Sequence, residues 1–267
     1  VKDKGSFMLS ARRTYADMFL KLSNDENVNS SKLYFYDINA KANYSINDKN
    51  TLYLSGYFGK DELGYNDLFG FNWGNATATV RWNHIVNDKL FSNTSLIYSD
   101  FSYNVNVSND ESDFTIASKI RNWNLKQDFS YYRNAENTFR FGVNILQQSI
   151  KPASLEAAAN AAVNSISVDS RQGVEAAAYL SHEWKPLERL SLIYGLRLTD
   201  FMVMGPGTFY SYDSDGEPTD EHVYGSKVIK HYLNLEPRFS ASYMLNNKSS
   251  VKASYNRIAQ NLHQLTN

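Results

Sequence analysis

The segment from His231 to Tyr255 decides the fold, and it reads HYLNLEPRFSASYML, then NNKSS, then VKASY. Its first part alternates strictly between apolar and polar residues. The apolar positions are Leu233, Leu235, Pro237, Phe239, Ala241, Tyr243 and Leu245, and the polar ones are Asn234, Glu236, Arg238, Ser240 and Ser242. Because successive side chains of a strand point to opposite faces, the pattern predicts one long ribbon with an apolar face and a charged face.

The residues that follow predict a hairpin. Asn246 to Ser250 is a short polar stretch typical of a tight turn, and Val251, Ala253 and Tyr255 then resume the apolar alternation. The ribbon is much longer than the usual strand of about 5 to 6 residues. The rest of the chain repeats this unit of two long alternating ribbons and a short turn.

Composition excludes several classes of function. The 267 residues carry 27 Lys and Arg against 28 Asp and Glu, so no basic field exists to attract nucleic acid. The absence of cysteine excludes disulfides, thiolate metal sites and a cysteine nucleophile. No run approaches the roughly 20 apolar residues of a membrane helix. The mean hydropathy of -0.49 fits a soluble protein, but it also fits strands that alternate between lipid and a wet lumen.

The connections between predicted strands are of two kinds. Short turns are predicted at 47–49, 87–89, 134–137, 185–188 and 246–250. Longer polar loops are expected at 24–31, 59–66, 109–113 and 204–226. Short periplasmic turns alternating with long extracellular loops are typical of outer-membrane barrels, whereas a soluble meander has no reason to sort its loops by end.

Two local expectations depart from this regular pattern. The alanine-rich run at 154–163 has a high helix propensity and predicts a short helix within a loop. The alternation blurs between Phe91 and Val107, and a β-bulge is the interpretation we give to it.

Aromatic residues of the apolar face cluster at two heights. Tyr44, Trp82, Trp184 and Tyr243 lie just before short turns, whereas Tyr34 lies near a long loop. The ten residues from Tyr34 to Tyr44 span about 33 Å along a strand, and a tilt of about 40° reduces the vertical span to about 25 Å. That height matches the lipid-facing band between two aromatic girdles.

Charged residues follow the polar alternation of their strands. They are Asp37, Lys41, Arg81, Lys126, Asp128, Arg140, Glu175, Glu183, Arg197, Glu236 and Arg238. Arg13 is the exception, because it shares the apolar alternation near a long loop, where lipid head groups would lie. A charge facing hydrocarbon at mid-depth costs about 2 to 4 kcal/mol, so this sorting indicates a lipid-facing side.

The fold class that follows is all-β: a transmembrane, antiparallel, up-and-down β-barrel with about eleven strands in this chain. Bacterial single-chain barrels have even strand numbers, and barrels of about 22 strands enclose a wide, plugged lumen. Half of a 22-stranded barrel reconciles the odd count with the small and charged residues of the polar face.

Two segments also resemble a known family. KDKGSFMLSARRTY at Lys2 to Tyr15 and SYNRIAQNLHQLTN at Ser254 to Asn267 resemble segments of TonB-dependent outer-membrane receptors of the Bacteroidetes type. The resemblance covers the whole chain as barrel, but the hairpins between the two segments are generic. It implies a 22-stranded barrel filled by a plug, and import of an iron chelate, cobalamin or a glycan with energy from TonB.

The resemblance also sets expectations for domains and partners. We expect residues 1–267 to be one barrel domain of a longer protein, with the plug and the closing C-terminal strands outside the chain. The expected partners are outer-membrane lipid, the TonB complex acting through the plug, a surface lipoprotein, and a small-molecule or glycan ligand. The expected location is the bacterial outer membrane.

Candidate ligand contacts fall into two groups. Arg140, Arg197, Arg238 and Glu236 lie on the polar alternation, where pairing with carboxylates of neighbouring strands competes with ligand binding. Tyr210 and Tyr212 in the longest predicted loop are the stronger candidates, because long loops on a rigid scaffold carry function.

No catalytic or metal site is predicted, and no cofactor. Asp213 to Glu217 contains part of a calcium-loop pattern but lacks the later ligands, so a solvated turn is the preferred interpretation. His84, His182, His222, His231 and His263 show no metal-binding spacing. No GxSxG or phosphate-binding loop is present.

Two other classes of function stay open at this point. A soluble repetitive β protein, such as a propeller or an adhesin, would also contain many strands, although the spacing between short turns drifts from about 40 to about 60 residues, unlike a fixed repeat. A barrel enzyme of the outer membrane would need an inward Ser/His/Asp or carboxylate cluster at one rim.

Overall fold

The structure is a computed structural model that describes residues 4–66, 68–108, 113–158, 161 and 163–262. Eleven strands form one antiparallel sheet in which sequence neighbours pair, and β10 and β11 form a separate hairpin between β9 and β12. The strands are β1 (Gly5–Arg13), β2 (Lys32–Asn47), β3 (Asn50–Tyr65), β4 (Phe69–Asn87), β5 (Leu90–Val107), β6 (Phe114–Asn134), β7 (Asn137–Ala157), β8 (Arg171–Leu187), β9 (Leu190–Met204), β10 (Gly207–Tyr212), β11 (Pro218–Tyr224), β12 (Val228–Asn246) and β13 (Ser249–Asn256).

The meander confirms the predicted up-and-down topology. Within the described residues the sheet does not close, because β1 and β13 lie at its two edges. Two short helices, α1 (Ala16–Leu20) and α2 (Glu26–Asn29), connect β1 to β2. In the part of the chain that the structure describes, no helix is long and apolar enough to span a membrane.

Asparagine builds four of the five short turns. The side-chain oxygens of Asn47 and Asn87 each accept a hydrogen bond of 3.0 Å from the backbone N–H two residues later. Asn134 and Asn246 accept the equivalent bonds at 3.2 and 2.9 Å. This Asx turn reverses the chain within a few residues, which explains why these four predicted short turns are present in the sheet. The fifth, predicted at 185–188, lies at 188–189, because β8 continues to Leu187.

The sheet has no hydrophobic core of the usual kind. Among the described apolar residues only Ala177 and Phe201 are buried, and no large side chain is fully buried. Leucine, isoleucine and valine side chains instead form an exposed row, which we call the apolar band; its residues are Leu54, Val80, Leu96, Leu125, Ile145, Leu180, Leu196 and Leu235. We call the side of the sheet that bears this row the outer side, and the opposite side the inner side.

The inner side is polar and more crowded. Its buried residues include Asp37, Asn144, Thr199 and Glu236, whereas Leu125 directly opposite Ile145 on the outer side stays 47% exposed. In a soluble sheet protein these roles are reversed, because the apolar face is the one that packs away from water. The structure therefore confirms that the apolar rows are exposed and do not pack against one another.

The strands extend further than the alternation predicted. Residues 59–65 belong to β3, and 69–75 belong to β4, so the predicted loop at 59–66 is wrong. The predicted helix at 154–163 is also wrong for residues 154–157, which belong to β7. Residues 159, 160 and 162 of that run lie outside the described residues. Residues 109–112 of the predicted acidic loop also lie outside them.

In these extensions the polar side chains lie on the outer side and the apolar side chains on the inner side, the reverse of the apolar band. We call the extensions the upper collar; its residues are 59–65, 69–75, 100–107, 114–121 and 149–157. On the outer side the collar is polar, with Lys60, Glu62, Asp100, Lys119 and Arg121 continuing the rows of the apolar band. On the inner side it is apolar, and its residues include Phe71, Trp73, Phe101, Tyr103, Ile120 and Ile150.

This reversal also accounts for the blurred alternation in β5. The pairing of β5 with β4 and β6 runs from residue 91 to residue 107 without a shift, so the predicted bulge is wrong. The apolar face changes sides between Tyr98 and Phe101, and the alternation itself continues.

Candidate functional site

A network of ion pairs lies on the inner side at the level of the apolar band. Each of its four cations has a carboxylate within 4 Å. The pairs are Lys126 with Asp128 at 3.3 Å, Arg140 with Glu183 at 3.2 Å, Arg197 with Glu175 at 3.6 Å, and Arg238 with Glu236 at 3.4 Å. The predicted pairing of Arg140 and Arg197 with carboxylates of a neighbouring strand is therefore present.

Glu236 is the most enclosed member of the network. Its side chain is 4% exposed, and one carboxylate oxygen accepts a hydrogen bond of 2.8 Å from the hydroxyl of Thr199. The Arg197 Nε donates to the same hydroxyl at 3.2 Å and lies 4.0 Å from the carboxylate. A buried carboxylate is stable only when it is paired and hydrogen-bonded, and these contacts supply both conditions.

Tyr179 crosses one strand to join the network. It lies opposite Gly142 of β7, and its hydroxyl donates a hydrogen bond of 2.6 Å to Asp128 of β6. The crossing requires glycine, because a Cβ at position 142 would lie 2.3 Å from the backbone oxygen of Gln127 and 3.0 Å from the tyrosine ring. The sequence alone does not single out Tyr179, because its position on the polar alternation does not distinguish it from other inner residues.

The network borders a cavity of about 400 Å³. Lys126, Arg140, Tyr179, Arg197 and Arg238 all line it. The structure thus brings together the four predicted inner-side candidates, since Glu236 contacts both Arg197 and Arg238. Arg140 and Arg238 remain about half exposed towards the cavity, whereas Arg197 is largely covered.

Tyr210 and Tyr212 lie apart from this network, on the β10–β11 hairpin. Both side chains are exposed, on the face of the hairpin that also bears Glu221. The other face bears Phe209, whose ring lies 4.5 Å from the guanidinium carbon of Arg171 in β8. The hairpin therefore exposes the two tyrosines on one face and contacts Arg171 of β8 through Phe209 on the other.

The acidic turn of this hairpin has an internal structural role. One carboxylate oxygen of Asp213 accepts hydrogen bonds of 2.9 Å from the backbone N–H groups of Asp215 and Glu217. Across the described residues, no three acidic or histidine side chains are placed to hold a metal ion. The Asp213 carboxylate thus holds the turn through backbone hydrogen bonds. His263 lies outside the described residues.

An aromatic cluster at the inner side of the upper collar was not predicted. The rings of Phe71 and Trp73 are 4.8 Å apart, and Tyr103 lies 6.3 Å from Phe71. The signal was available in the sequence as alternation of the opposite phase, but we expected a loop at 59–66 and a bulge in β5. The cluster lies at the long-loop end of the sheet, above the ion-pair network.

A family model supplies the identification. The TonB dependent receptor-like β-barrel matches residues 11–267. The chain belongs to this family. The family and the similar structures below are receptors and transporters rather than enzymes, and they are outer-membrane proteins of Gram-negative bacteria. The propeller, adhesin and barrel-enzyme alternatives are therefore set aside.

Solved structures agree with the barrel fold. The open form of the ferric-catecholate import receptor Fiu from E. coli K12 matches with a TM-score of 0.66 at 13% identity. The match covers 96% of this chain and 50% of the Fiu chain. The hemophore receptor HasR of Serratia marcescens, in complex with its hemophore HasA and heme, has a TM-score of 0.66 at 11% identity and covers 95% of this chain and 41% of its own.

The copper transporter OprC is a further example, with a TM-score of 0.62, 13% identity and coverage of 80% of this chain and 35% of its own. Identities this low establish the shared fold alone. The receptor barrel chain spans about a third to a half of these proteins. No curated protein sequence matches it.

Proposed function

We propose that this receptor barrel lies in the outer membrane and imports a small ligand with energy delivered by TonB. The observation that carries the proposal is the sorting of side chains along β2 to β12. The exposed apolar band on the outer side suits lipid, and the ion-paired inner side suits a wet lumen.

We propose further that residues 1–267 form one barrel domain within a longer protein. The eleven-stranded open sheet supports half of a 22-stranded barrel, with a plug domain that contacts TonB and with closing strands supplied outside the chain. The resemblance at Lys2–Tyr15 and Ser254–Asn267 supports a receptor of the Bacteroidetes type, with a surface lipoprotein as a candidate partner.

The ligand class that we propose is an iron chelate, cobalamin or a glycan. Fiu is an import receptor for ferric catecholate, and FecA is a ferric citrate transporter. Each of the three ligand classes combines apolar or ring surface with polar groups, and the inner side of this chain offers both. The aromatic cluster of Phe71, Trp73 and Tyr103 stands above the ion-pair network, so a ligand entering from the long-loop end meets rings first and charges second.

The candidate residues have separate roles in this proposal. Tyr210 and Tyr212 contact the ligand at the mouth, because they are exposed on a hairpin whose other face contacts Arg171 of β8. Arg140 and Arg238 contact it within the lumen, because half of each side chain remains open to the cavity. Arg197 and Glu236 hold the wall together, since their contacts are mutual and largely covered.

Growth on defined nutrients tests the proposal. Deleting the gene in its own bacterium should abolish growth on one member of a panel of ferric chelates, cobalamin and glycans, and loss of TonB should reproduce that defect. The Arg140→Gln/Arg238→Gln variant should then lower ligand affinity, while the matched Lys49→Gln/Lys89→Gln variant, altered in two short turns, should not. Normal growth of the deletion strain on the whole panel would contradict the proposal.

A further inference from the structure

Three basic side chains form a group on the outer side of the upper collar. Lys119 and Arg121 lie on β6, and Lys151 lies on β7. Pairing places Lys119 directly opposite Lys151, and Arg121 opposite Ser149. Arg121 belongs to the same outer row as Trp123, so the group continues the apolar band upwards.

One carboxylate serves two of these cations. The Nζ of Lys119 and the Nε of Arg121 each lie 3.0 Å from the same oxygen of Asp100, which also accepts a hydrogen bond of 3.0 Å from the hydroxyl of Tyr98. The Lys151 side chain makes no ion pair within the described part of the chain. Like charges directly opposite one another destabilise a sheet, so this arrangement favours an anion between β6 and β7.

Two other outer-side cations at the same height each have a carboxylate partner. Lys60 lies 3.3 Å from Glu62 on β3, and Arg13, the outer-side exception in the sequence, lies 2.8 Å from Asp17. An anion attracted to the outer side at this height therefore finds uncompensated charge beside Lys151.

The position identifies the anion. Directly below the basic group, the rings of Tyr98 and Trp123 are 4.7 Å apart and mark the upper edge of the apolar band. This edge is at the long-loop end, where the outer leaflet of the membrane lies if the proposed orientation holds. Head-group phosphates lie just above the hydrocarbon, within reach of lysine and arginine at this height.

We propose that Lys119, Arg121 and Lys151 bind a phosphate group of a phosphorylated glycolipid in the outer leaflet. Lys119 and Lys151 hold the phosphate from two strands, and Asp100 and Tyr98 hold Arg121 in place beside it. The acyl chains then continue downwards along Trp123 and Leu125 of the apolar band. The site rests on the proposed membrane orientation but is independent of the ligand that the receptor imports.

Lipid retention tests the site. The whole protein in detergent micelles is mixed with bisphosphorylated lipid A, and bound lipid is counted by native mass spectrometry. Lys119→Gln/Lys151→Gln should bind roughly 30-fold more weakly than the wild type, at about a fivefold loss per lysine. Lys49→Gln/Lys89→Gln removes the same charge at the other end of the barrel and should bind like the wild type.

Two further arms identify what is bound. Dephosphorylated lipid A should bind as weakly to the wild type as the phosphorylated lipid binds to Lys119→Gln/Lys151→Gln, and millimolar inorganic phosphate should not displace the lipid. Equal binding by the two double variants would overturn the site, and full displacement by inorganic phosphate would show a free-anion site instead. Resistance of the barrel to unfolding in cold SDS confirms that each variant is folded. Nutrient uptake by Lys119→Gln/Lys151→Gln should be unchanged, which distinguishes a loss of lipid binding from a loss of import.

Discussion

The apolar band and the upper collar lie at two heights of the same strands, and the two faces of the sheet exchange polar and apolar side chains between them. In β6, Leu125 faces the outer side and Lys126 the inner side, whereas four to six residues away Arg121 faces the outer side and Ile120 the inner side. The pairing with β5 is continuous through both regions. Backbone geometry is therefore common to the two heights, and only the surroundings of the side chains differ.

In the proposed membrane placement, this difference marks the boundary of the membrane on the strands. Directly below Tyr98 and Trp123 the outer side bears Leu96 and Leu125, and above them it carries Asp100 and Arg121, which form an ion pair at 3.0 Å. A charge at the level of the band would lose its hydration in lipid, but the same charge in the collar meets water and head groups. The comparison predicts that identical substitutions have different effects at the two heights.

The largest expected effect comes from a charge in the band. Leu125→Arg should destabilise the folded barrel by about 2–4 kcal/mol in lipid vesicles, because the guanidinium would face hydrocarbon. Ala117→Arg, on the same strand and the same side but within the collar, should change stability by less than about 0.5 kcal/mol. Urea-induced unfolding in vesicles, followed by tryptophan fluorescence, measures both variants. Equal destabilisation would remove the distinction between band and collar.

A second prediction concerns the inner side within the band. Gly142→Ala should cost roughly 1–3 kcal/mol, because the new Cβ meets the Gln127 backbone oxygen and the Tyr179 ring. Gly56→Ala, on the outer side of β3, has 3.8 Å to its nearest neighbour and should be neutral or slightly stabilising. The same unfolding assay compares them, and a neutral Gly142→Ala would show that Tyr179 does not cross β7 at this point.

The smallest expected effect separates two tyrosine hydroxyls. Tyr179→Phe removes the hydrogen bond to Asp128 on the inner side and should cost roughly 1 kcal/mol. Tyr98→Phe removes a bond to Asp100, but Lys119 and Arg121 still hold that carboxylate, so stability should not change measurably. A larger loss from Tyr98→Phe than from Tyr179→Phe would contradict this assignment of the two networks.

The sequence predicted the band well because a single alternation runs through a long row of residues. Leu233 to Tyr243 alternates without interruption, and the turn between β12 and β13 follows shortly after the alternation stops. Arg140, Arg197, Arg238 and Glu236 share one phase of the alternation, so the sequence placed them on the same face. The contact between Tyr179 and Gly142 could not be predicted, because it depends on the register between β7 and β8.

The collar was predicted poorly for a physical reason. Its alternation is as strict as that of the band, but Trp73 and Tyr103 have the opposite phase, so strand segments were interpreted as a loop and a bulge. The helix propensity of the alanine-rich run was likewise overridden as far as Ala157 by pairing of β7 with β6. The phase reversal and the pairing of Lys119 opposite Lys151 both depend on the register between strands, which the sequence does not give.

Site-directed spin labelling along β6 can test whether the apolar band faces lipid, and these 267 residues contain no cysteine that would compete for the label. Labels at positions 115–128 in lipid vesicles are probed with oxygen, which partitions into lipid, and with a water-soluble nickel chelate. We expect high oxygen access at 123 and 125, high nickel access at 124 and 126, and high nickel access at the outer positions 119 and 121. Exclusion of both reagents from 123 and 125 would show that the apolar row packs against protein, and would contradict the lipid-facing band.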